Sequence, residues 1–289
     1  MYPPKFDYYR ASSVDEALSL LQQHGANAKV LAGGHSLIPM MKMRLAQPGV
    51  LIDIGRIDEL KGIRVEGDTL SIGPLTTHAA IAASEDVQRL ATALSDAASV
   101  VGDLQVRNRG TIGGNLAHAD PASDLPAAVL ALGGEIEARG PAGSRTIAAD
   151  DFFQGLFTTA LDENEIITAI RVPTGQGTRV SAYVKFPHPA SGYAVVGVAA
   201  VLDIAGNKVT AARVAANGAF ECAKRLAGVE QALSGADATA EAAASAAEHA
   251  TDGFSADDFM SDIFASADYR AHLLKVYTRR ALQKALERA

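Results

Sequence analysis

Two glycine pairs are the residues of this sequence whose type and spacing could do chemistry. "LAGGHSLIPMMK" spans residues 31–42 and "GTIGGN" spans residues 110–115. A strand followed by a glycine-rich turn and a helix start leaves backbone N–H groups without internal partners, and these bind phosphate oxygens. One pair alone would indicate a structural turn. Two pairs, flanked by the side chains of Ser36, Thr111 and Asn115, favour a diphosphate ligand.

Other binding and catalytic motifs are absent from the sequence. Neither the dinucleotide fingerprint G-x-G-x-x-G nor a Gly-Lys phosphate loop occurs, and there is no H-E-x-x-H zinc motif. "GHSLI" resembles a nucleophile elbow, but Ile38 replaces its second glycine, so Ser36 is interpreted as a hydrogen-bond donor. His35 and His118 lie in small-residue loops and could touch a ligand, although a lone loop histidine is usually just solvated.

Composition restricts the class of protein. The chain has 289 residues, 48% of them hydrophobic and 20% charged, which is typical of a globular protein. A net charge of -7 argues against nucleic acid as the main partner. The single cysteine, Cys222, excludes an internal disulfide, a cysteine zinc site and an iron–sulfur cluster. With no signal-peptide pattern and no run of 18 apolar residues, we expect a cytoplasmic protein without a membrane span and without a bound metal.

Three regions must position the glycine corners. Residues 1–55 read as a small α/β unit, with a helix over 12–25 and strands at 28–32 and 50–54. Residues 56–177 contain two hairpins, helices over 77–101, a loop-like glycine segment and a helix from about Asp124. Residues 178–289 contain three strands followed by helices. The predicted fold class is therefore α+β, with an antiparallel sheet and helices in the last region.

The two glycine segments also carry a family resemblance. "AGGHSLIPMMKMRL" and "RNRGTIGGNLAHADPASDLPAAVLALG" resemble the flavin loops of the FAD-binding medium subunits of molybdenum hydroxylases, the family of aerobic carbon monoxide dehydrogenase and, more distantly, xanthine dehydrogenase. The resemblance extends to "FDYYRASSVDEALSLL", "FFQGLFTTALDENEIITAIRVP", "AYVKF" and "RRAL". It implies an FAD-binding fold of the vanillyl-alcohol-oxidase/PCMH type, with two α/β N-terminal subdomains that hold FAD between them.

The resemblance implies a set of cofactor-binding residues and no catalytic residues. One loop would contact the diphosphate with Ala32, Gly33, Gly34, His35, Ser36 and Leu37. The other would contribute Thr111, Gly113, Gly114, Asn115 and Ala119.

Four further residues match positions around the rest of the cofactor. Asp124 matches an acid near the adenosine part, with a helix N-cap as the alternative, a role that Ser123 or Asp124 could fill. Ile167 and Lys185 match positions that line the flavin ring, where Lys185 would stabilise a negative reduced flavin. Tyr193 matches an aromatic residue against the isoalloxazine. From pattern alone, Lys185 would be a surface lysine and Tyr193 an ordinary strand aromatic.

The loop "KFPHPASGY" departs from the family pattern. Gly192 stands where the relatives have an acid, and His188 stands where a basic residue is common. Pro187 and Pro189 stiffen the loop. The electrostatics near the flavin, and the electron acceptor, are therefore not predicted from the resemblance.

The leading functional hypothesis is an electron-transfer subunit. The resemblance implies a small iron–sulfur partner, a large molybdenum-cofactor partner and a dimer of such heterotrimers, with this chain passing electrons from FAD to an acceptor. One alternative is a self-sufficient flavin oxidoreductase, for which no convergent set of polar groups is found. The other is a flavin-free binding or assembly protein of the same fold.

Overall fold

The computed structural model describes residues 2–289, in which a parallel sheet and two antiparallel sheets are the main layers. The first sheet has the strand order β1-β3-β2, and all its pairs are parallel. Its region contains, in chain order, β1 (Asp7–Arg10), α1 (Val14–His24), β2 (Ala28–Leu31), α2 (Leu37–Lys42) and β3 (Val50–Asp53). The predicted helix and both predicted strands are confirmed.

Strand β1 was not predicted from the sequence. All four of its residues are exposed, so it has no apolar alternation to detect. It is held by its parallel pairing with β3. Two hydrogen bonds prolong this pairing at its ends, because Asp7 N–H donates to Gly49 O at 2.8 Å and Ala11 N–H donates to Asp53 O at 3.0 Å.

The second region forms a five-stranded antiparallel sheet of order β4-β5-β10-β6-β7, flanked by helices. Both predicted hairpins belong to it. In chain order the elements are β4 (Ile63–Glu66), β5 (Thr69–Ile72), α3 (His78–Ala83), α4 (Glu85–Leu90), α5 (Thr92–Ser99), α6 (Leu104–Arg109), α7 (Ile112–His118), α8 (Asp124–Ala131), β6 (Glu135–Gly140), β7 (Gly143–Ala148), α9 (Ala149–Phe152), β8 (Phe153–Gly155), β9 (Thr158–Thr159) and β10 (Ile166–Pro173).

The prediction that the second glycine segment is loop-like is wrong, because it forms α7. Thr111 is the N-cap of this helix, and its side chain accepts a hydrogen bond from Gly114 N–H at 3.3 Å. The cap and burial of Ile112 and Leu116 outweigh the low helix propensity of Gly113 and Gly114.

The third region is an antiparallel sheet of order β11-β12-β13-β14 covered by helices. Leu274, Tyr277 and Ala281 of its last helix are buried, and Leu286 packs at the edge of the same core. The elements are β11 (Thr178–Pro187), β12 (Ala194–Ala205), β13 (Lys208–Asn217), β14 (Lys224–Arg225), α10 (Ala227–Leu233), α11 (Ala240–Ala247) and α12 (Ala267–Leu286).

Three apolar cores hold the layers together, and the middle core draws on two regions. The first surrounds Ile52, and the third lies between α12 and the last sheet. The middle core contains Leu94, Ile112 and Phe152 together with residues from β11, β12 and β13, namely Tyr183, Ala199, Val201 and Ala215. The second and third regions therefore share one core. No helix of residues 2–289 combines the length and the apolar character needed to cross a bilayer.

Candidate FAD site

The loop between β2 and α2 presents an uninterrupted run of backbone donors. Within residues 2–289, five successive N–H groups donate to no protein atom, those of Gly33, Gly34, His35, Ser36 and Leu37. His35 is exposed and the other four residues are half-buried, so a ligand can reach them. Gly34 has φ +76°, a conformation that favours glycine. The run makes a concave donor surface of the kind that binds phosphate.

Gly33 brings the two glycine segments into contact. A Cβ atom at Gly33 would lie 2.2 Å from Arg109 O and 2.9 Å from the Cα of Gly110. A Cβ at Gly114 would lie 3.8 Å from the Cβ of Ala32. The expectation that both segments face one another is therefore met, and Gly33 is the position where only hydrogen fits between them.

The second segment differs from the first in its backbone. The N–H of Gly113 donates to Pro74 O at 2.8 Å, and the N–H of Asn115 donates to Thr111 O at 3.0 Å. Gly114 N–H donates to the Thr111 side chain. The expectation that this corner also exposes unpartnered N–H groups is wrong for these three residues, because they form the first turn of α7.

The glycines of this turn serve packing and approach instead. Gly113 is buried, and a Cβ there would lie 2.3 Å from the Cβ of Pro74. Gly114 is exposed on the side that faces Ala32. We infer that Gly114 leaves space for a ligand bound by the first loop.

Asn115 and Ala119 connect α7 to the next helix. Asn115 Nδ2 donates to Ser123 Oγ at 2.5 Å, and within the described chain Asn115 Oδ1 is buried without a donor. Ala119 ends α7 in the left-handed conformation with φ 49° and is buried. The chain thus turns from the glycine segment directly into α8 and places Asp124 next to the site.

Asp124 and Lys185 form a buried ion pair. Lys185 Nζ donates to Asp124 Oδ2 at 2.8 Å and to Gly192 O at 2.7 Å, and the two side chains are 6% and 5% exposed. The Tyr183 hydroxyl donates to Asp124 Oδ1 at 2.6 Å. Burial raises the pKa of Asp124 to about 6, against the opposing effects of Lys185 and Tyr183.

One pattern-based interpretation is therefore wrong. Lys185 is not a surface lysine, since the apolar β11 strand carries it inward to Asp124. Of the two candidate N-caps of α8, Ser123 occupies the cap position, although its side chain bonds Asn115 and makes no cap bond.

The expected positions of Asp124 and Lys185 along the cofactor also conflict with each other. The resemblance places the acid near the adenosine and the lysine at the flavin ring, which are opposite ends of an extended FAD. The 2.8 Å contact between them shows that the two side chains act as one unit. Which part of the cofactor this pair contacts stays a prediction.

Tyr193 lies in the hairpin loop between β11 and β12 and is 45% exposed. It is thus a loop residue and not a strand aromatic. His188 shapes this loop, because its Nδ1 accepts from the N–H groups of Ala190 and Ser191, both at 3.2 Å. Gly192 has φ +73°, and its carbonyl oxygen accepts a hydrogen bond from Lys185. The departures from the family pattern therefore have structural roles in the loop that presents Tyr193.

Ile167 is a core residue of β10. It is 5% exposed and packs in the middle core. It can line a ligand only through the edge of its side chain, so it contributes less to the site than the loop residues.

His78 is a residue of this site that sequence reasoning missed. It begins α3, and its N–H donates to Gly110 O at 3.0 Å. Its ring is 3% exposed and lies where a Cβ at Gly110 would be, 2.8 Å from Cδ2 and Nε2. Burial, with a smaller effect of His35, lowers the pKa of His78 to about 4. Its sequence context, "TTHAA", offered no signal for this role.

We expect His78 to make stability depend on pH. Between pH 6.5 and pH 4 the unfolded chain binds a proton at this residue and the folded chain does not, so stability falls as pH is lowered through this range. By pH 5 the loss is about 2 kcal/mol relative to pH 7.5. His78→Gln should remove this part of the loss, measured as urea unfolding free energies at the two pH values. His249→Gln, at a half-exposed histidine, is the matched control and should behave as the parent protein.

The site as a whole fits FAD. The donor run suits a diphosphate, and the second segment packs against it and connects through Asn115 and Ser123 to the helix that begins at Asp124. Within residues 2–289 there is no group of three or more His, Cys, Asp or Glu residues that could hold a metal ion.

Comparison with known proteins identifies the family. Residues 4–175 match the model described as the FAD binding domain in molybdopterin dehydrogenase. Residues 181–285 match the CO dehydrogenase flavoprotein C-terminal domain.

Full-length relatives agree with this assignment. The carbon monoxide dehydrogenase medium chain of Hydrogenophaga pseudoflava is 43% identical over 289 residues, which cover 100% of this chain and 99% of the relative. The nicotine 6-hydroxylase medium subunit of Paenarthrobacter nicotinovorans is 37% identical over 285 residues, which cover 98% of each. The structure superimposes on a chain of the Hydrogenophaga pseudoflava carbon monoxide dehydrogenase with a TM-score of 0.95, at 42% identity and full coverage of both chains. The chain therefore belongs to the family of FAD-binding medium subunits of molybdenum hydroxylases, as its glycine segments and fold indicate.

Proposed function

We propose that this chain takes electrons from an iron–sulfur cluster of a small partner subunit and delivers them, through FAD, to an acceptor. The observation that carries the proposal is the run of five unpartnered N–H groups packed against the second glycine segment. A site of this form binds a cofactor, and the chain has a single cysteine, so any cluster must be supplied by another subunit.

The residues of the chain have distinct parts in this function. Gly33 to Leu37 bind the diphosphate through charge-assisted N–H bonds, and the Gly33 contact fixes the distance between the two segments. FAD supplies the redox chemistry, accepting electrons from one partner and releasing them to another. Tyr193, exposed at the end of the loop where it joins β12, offers an aromatic face to the isoalloxazine. Asp124 and Lys185 lie at that same end and set the local charge.

The substrate of the complete enzyme is a property of the large molybdenum-cofactor subunit. One named relative is a carbon monoxide dehydrogenase chain and the other is a nicotine 6-hydroxylase subunit, yet both align along nearly the whole of this chain. A subunit common to such different substrates contacts neither of them. We propose a dimer of heterotrimers, with three subdomains in this chain at 1–55, 56–177 and 178–289, supported by the three main sheets. The lone thiol of Cys222, which is buried, supports a cytoplasmic location.

The electron-transfer function predicts that the chain alone does not oxidise an organic substrate. Stopped-flow absorbance at the flavin band should show no bleaching when the FAD-loaded chain is mixed with carbon monoxide, nicotine or xanthine. The co-expressed complex, mixed with its own substrate, should bleach rapidly. Dithionite reduction of the lone chain is the control, since it shows that the bound FAD can be reduced. Rapid substrate-dependent bleaching by the lone chain would favour the self-sufficient oxidoreductase instead.

A further inference from the structure

A buried polar cluster lies beneath the loop that carries Tyr193. It consists of Asp124, Tyr183, Lys185 and Asn217, and we name it the Asp124 cluster. Besides its 2.6 Å bond to Asp124, the Tyr183 hydroxyl lies 3.1 Å from Asn217 Oδ1. A hydroxyl has one proton to donate, and the Tyr183 hydroxyl donates it to Asp124, the closer of the two oxygens. The phenol therefore supports the ionised form of the carboxylate.

The fold makes space for this cluster at a cost. Gly197 lies in the middle of β12, and a Cβ there would be 2.1 Å from the Tyr183 hydroxyl oxygen and 2.4 Å from Asn217 Oδ1. Asn217 is fully buried beside the phenol. A glycine in a central strand lowers stability, and here it leaves the space that the Tyr183 hydroxyl and the Asn217 amide occupy.

The charge of the cluster depends on one proton. With Asp124 ionised, its negative charge compensates Lys185 and the pair is neutral. With Asp124 protonated, the Lys185 ammonium remains charged and still donates to Gly192 O, in the loop that carries Tyr193. Because the pair is nearly fully buried, water screens this change weakly.

The other charged groups around Asp124 do not replace Lys185. Asp96 of α5 is held by Lys284 and Arg288, and Asp150 of α9 is held by Arg213 and Arg225 at the far end of α8. The other titratable groups on the neighbouring segments are His118 of α7, Asp120 of the following loop, and His188 and Tyr193 of the hairpin loop. Burial raises the pKa of Tyr193, and the charges of Asp120 and Asp124 are close enough to raise it further.

We propose that the Asp124–Lys185 pair is a proton-controlled charge beside the FAD, with Tyr183 as the positioning residue that holds the carboxylate ionised. The inference rests on the proposed placement of the isoalloxazine next to Tyr193. One proton from solvent binds one carboxylate oxygen of Asp124 to give the neutral acid, and the net charge of the pair rises from zero to +1. No electron moves in this step. A positive charge favours the more negative, reduced cofactor, so reduction and proton uptake favour one another.

The test compares the FAD-loaded protein with Asp124→Asn and Tyr183→Phe variants. The midpoint potential of each is measured by dye equilibration from pH 5 to pH 8. The carboxylic acid band of Asp124 is followed by infrared spectroscopy over the same range, and it is assigned by its loss in Asp124→Asn. Tyr277→Phe, which removes a buried phenol from the C-terminal core, is the matched control.

The proposal expects a bend in the potential of the parent protein at the pH where the infrared band appears. Asp124→Asn should lose the bend and keep a higher potential at pH 8, because Lys185 is no longer compensated. Tyr183→Phe should move both the bend and the band to higher pH, and Tyr277→Phe should move neither.

Two results would overturn the proposal. The first would also overturn the proposed placement of the FAD, and the second would not. If the band titrates but the potentials of the parent protein and Asp124→Asn coincide at every pH, FAD lies elsewhere, and the proposed placement fails as well. If the potentials of the two proteins differ at every pH by a constant amount and no band appears, the placement stands and the proton-controlled charge is excluded.

Discussion

Gly33→Ala is expected to reduce the affinity for FAD by roughly 10² to 10⁴-fold. The added methyl group would lie 2.2 Å from Arg109 O, and a backbone oxygen cannot move aside as a flexible side chain can. The two glycine segments must separate, so the donor run no longer fits the diphosphate. Loss of two N–H bonds to a charged group costs about 3–6 kcal/mol, which corresponds to that range. The FAD-to-protein ratio after gel filtration measures the effect.

Substitutions at two other glycines provide a control and an intermediate case for this experiment. Gly155→Ala adds a methyl group with no atom within 4 Å and should retain FAD as the parent protein does. Gly114→Ala places its methyl group 3.0 Å from Thr111 Oγ1 and should fall between the two. Circular dichroism must show the same fold for all three. A folded Gly33→Ala protein with a full complement of FAD would show that the contact between the segments does not position the cofactor.

Lys185→Met is expected to lower the free energy of unfolding by about 3 kcal/mol. It removes one partner of a buried ion pair and leaves Asp124 without its counter-charge, a change that costs about 3–5 kcal/mol in proteins. We place the value at the lower end because Tyr183 still donates to the carboxyl group and because that group can take up a proton. Urea unfolding at pH 7.5 measures the loss.

A double variant separates the charge from the packing. Asp124→Asn combined with Lys185→Met removes both charges and should recover half or more of the lost stability, since the amide oxygen still accepts from Tyr183. Lys208→Met breaks an ion pair whose side chains are 57% and 54% exposed and should cost less than about 1 kcal/mol. An equal loss in Lys185→Met and Lys208→Met would contradict the buried pair.

Sequence reasoning predicted most of the elements because their signals are local. The amphipathic pattern of α1, the glycine turns of the two hairpins and the apolar runs of β11 to β13 each lie within a short window. The donor run was predicted for the same reason, since it follows from a strand, two glycines and a helix start. The family resemblance added the residues beyond the glycine segments.

The remaining features depend on contacts between distant residues. Nothing local indicates that Lys185 pairs with Asp124, 61 positions earlier, or that His78 packs beneath Gly110. Strand β1 is defined by its partner β3 and not by its own side chains. The second glycine segment was misassigned because Thr111 caps a helix whose first turn contains two poor helix formers.

The shared middle core has a consequence for how the protein is made. A ribosome delivers the chain from its N-terminus, and residues 2–177 emerge before Tyr183, Ala199, Val201 and Ala215, which complete that core. Until about residue 217 has left the exit tunnel, α5 and α8 have no sheet to cover their apolar faces, and Asp124 has neither Lys185 nor Tyr183. The nascent N-terminal half therefore leaves apolar surface uncovered until the C-terminal sheet forms. We expect cofactor capture to be a late event in biosynthesis, timed by that sheet.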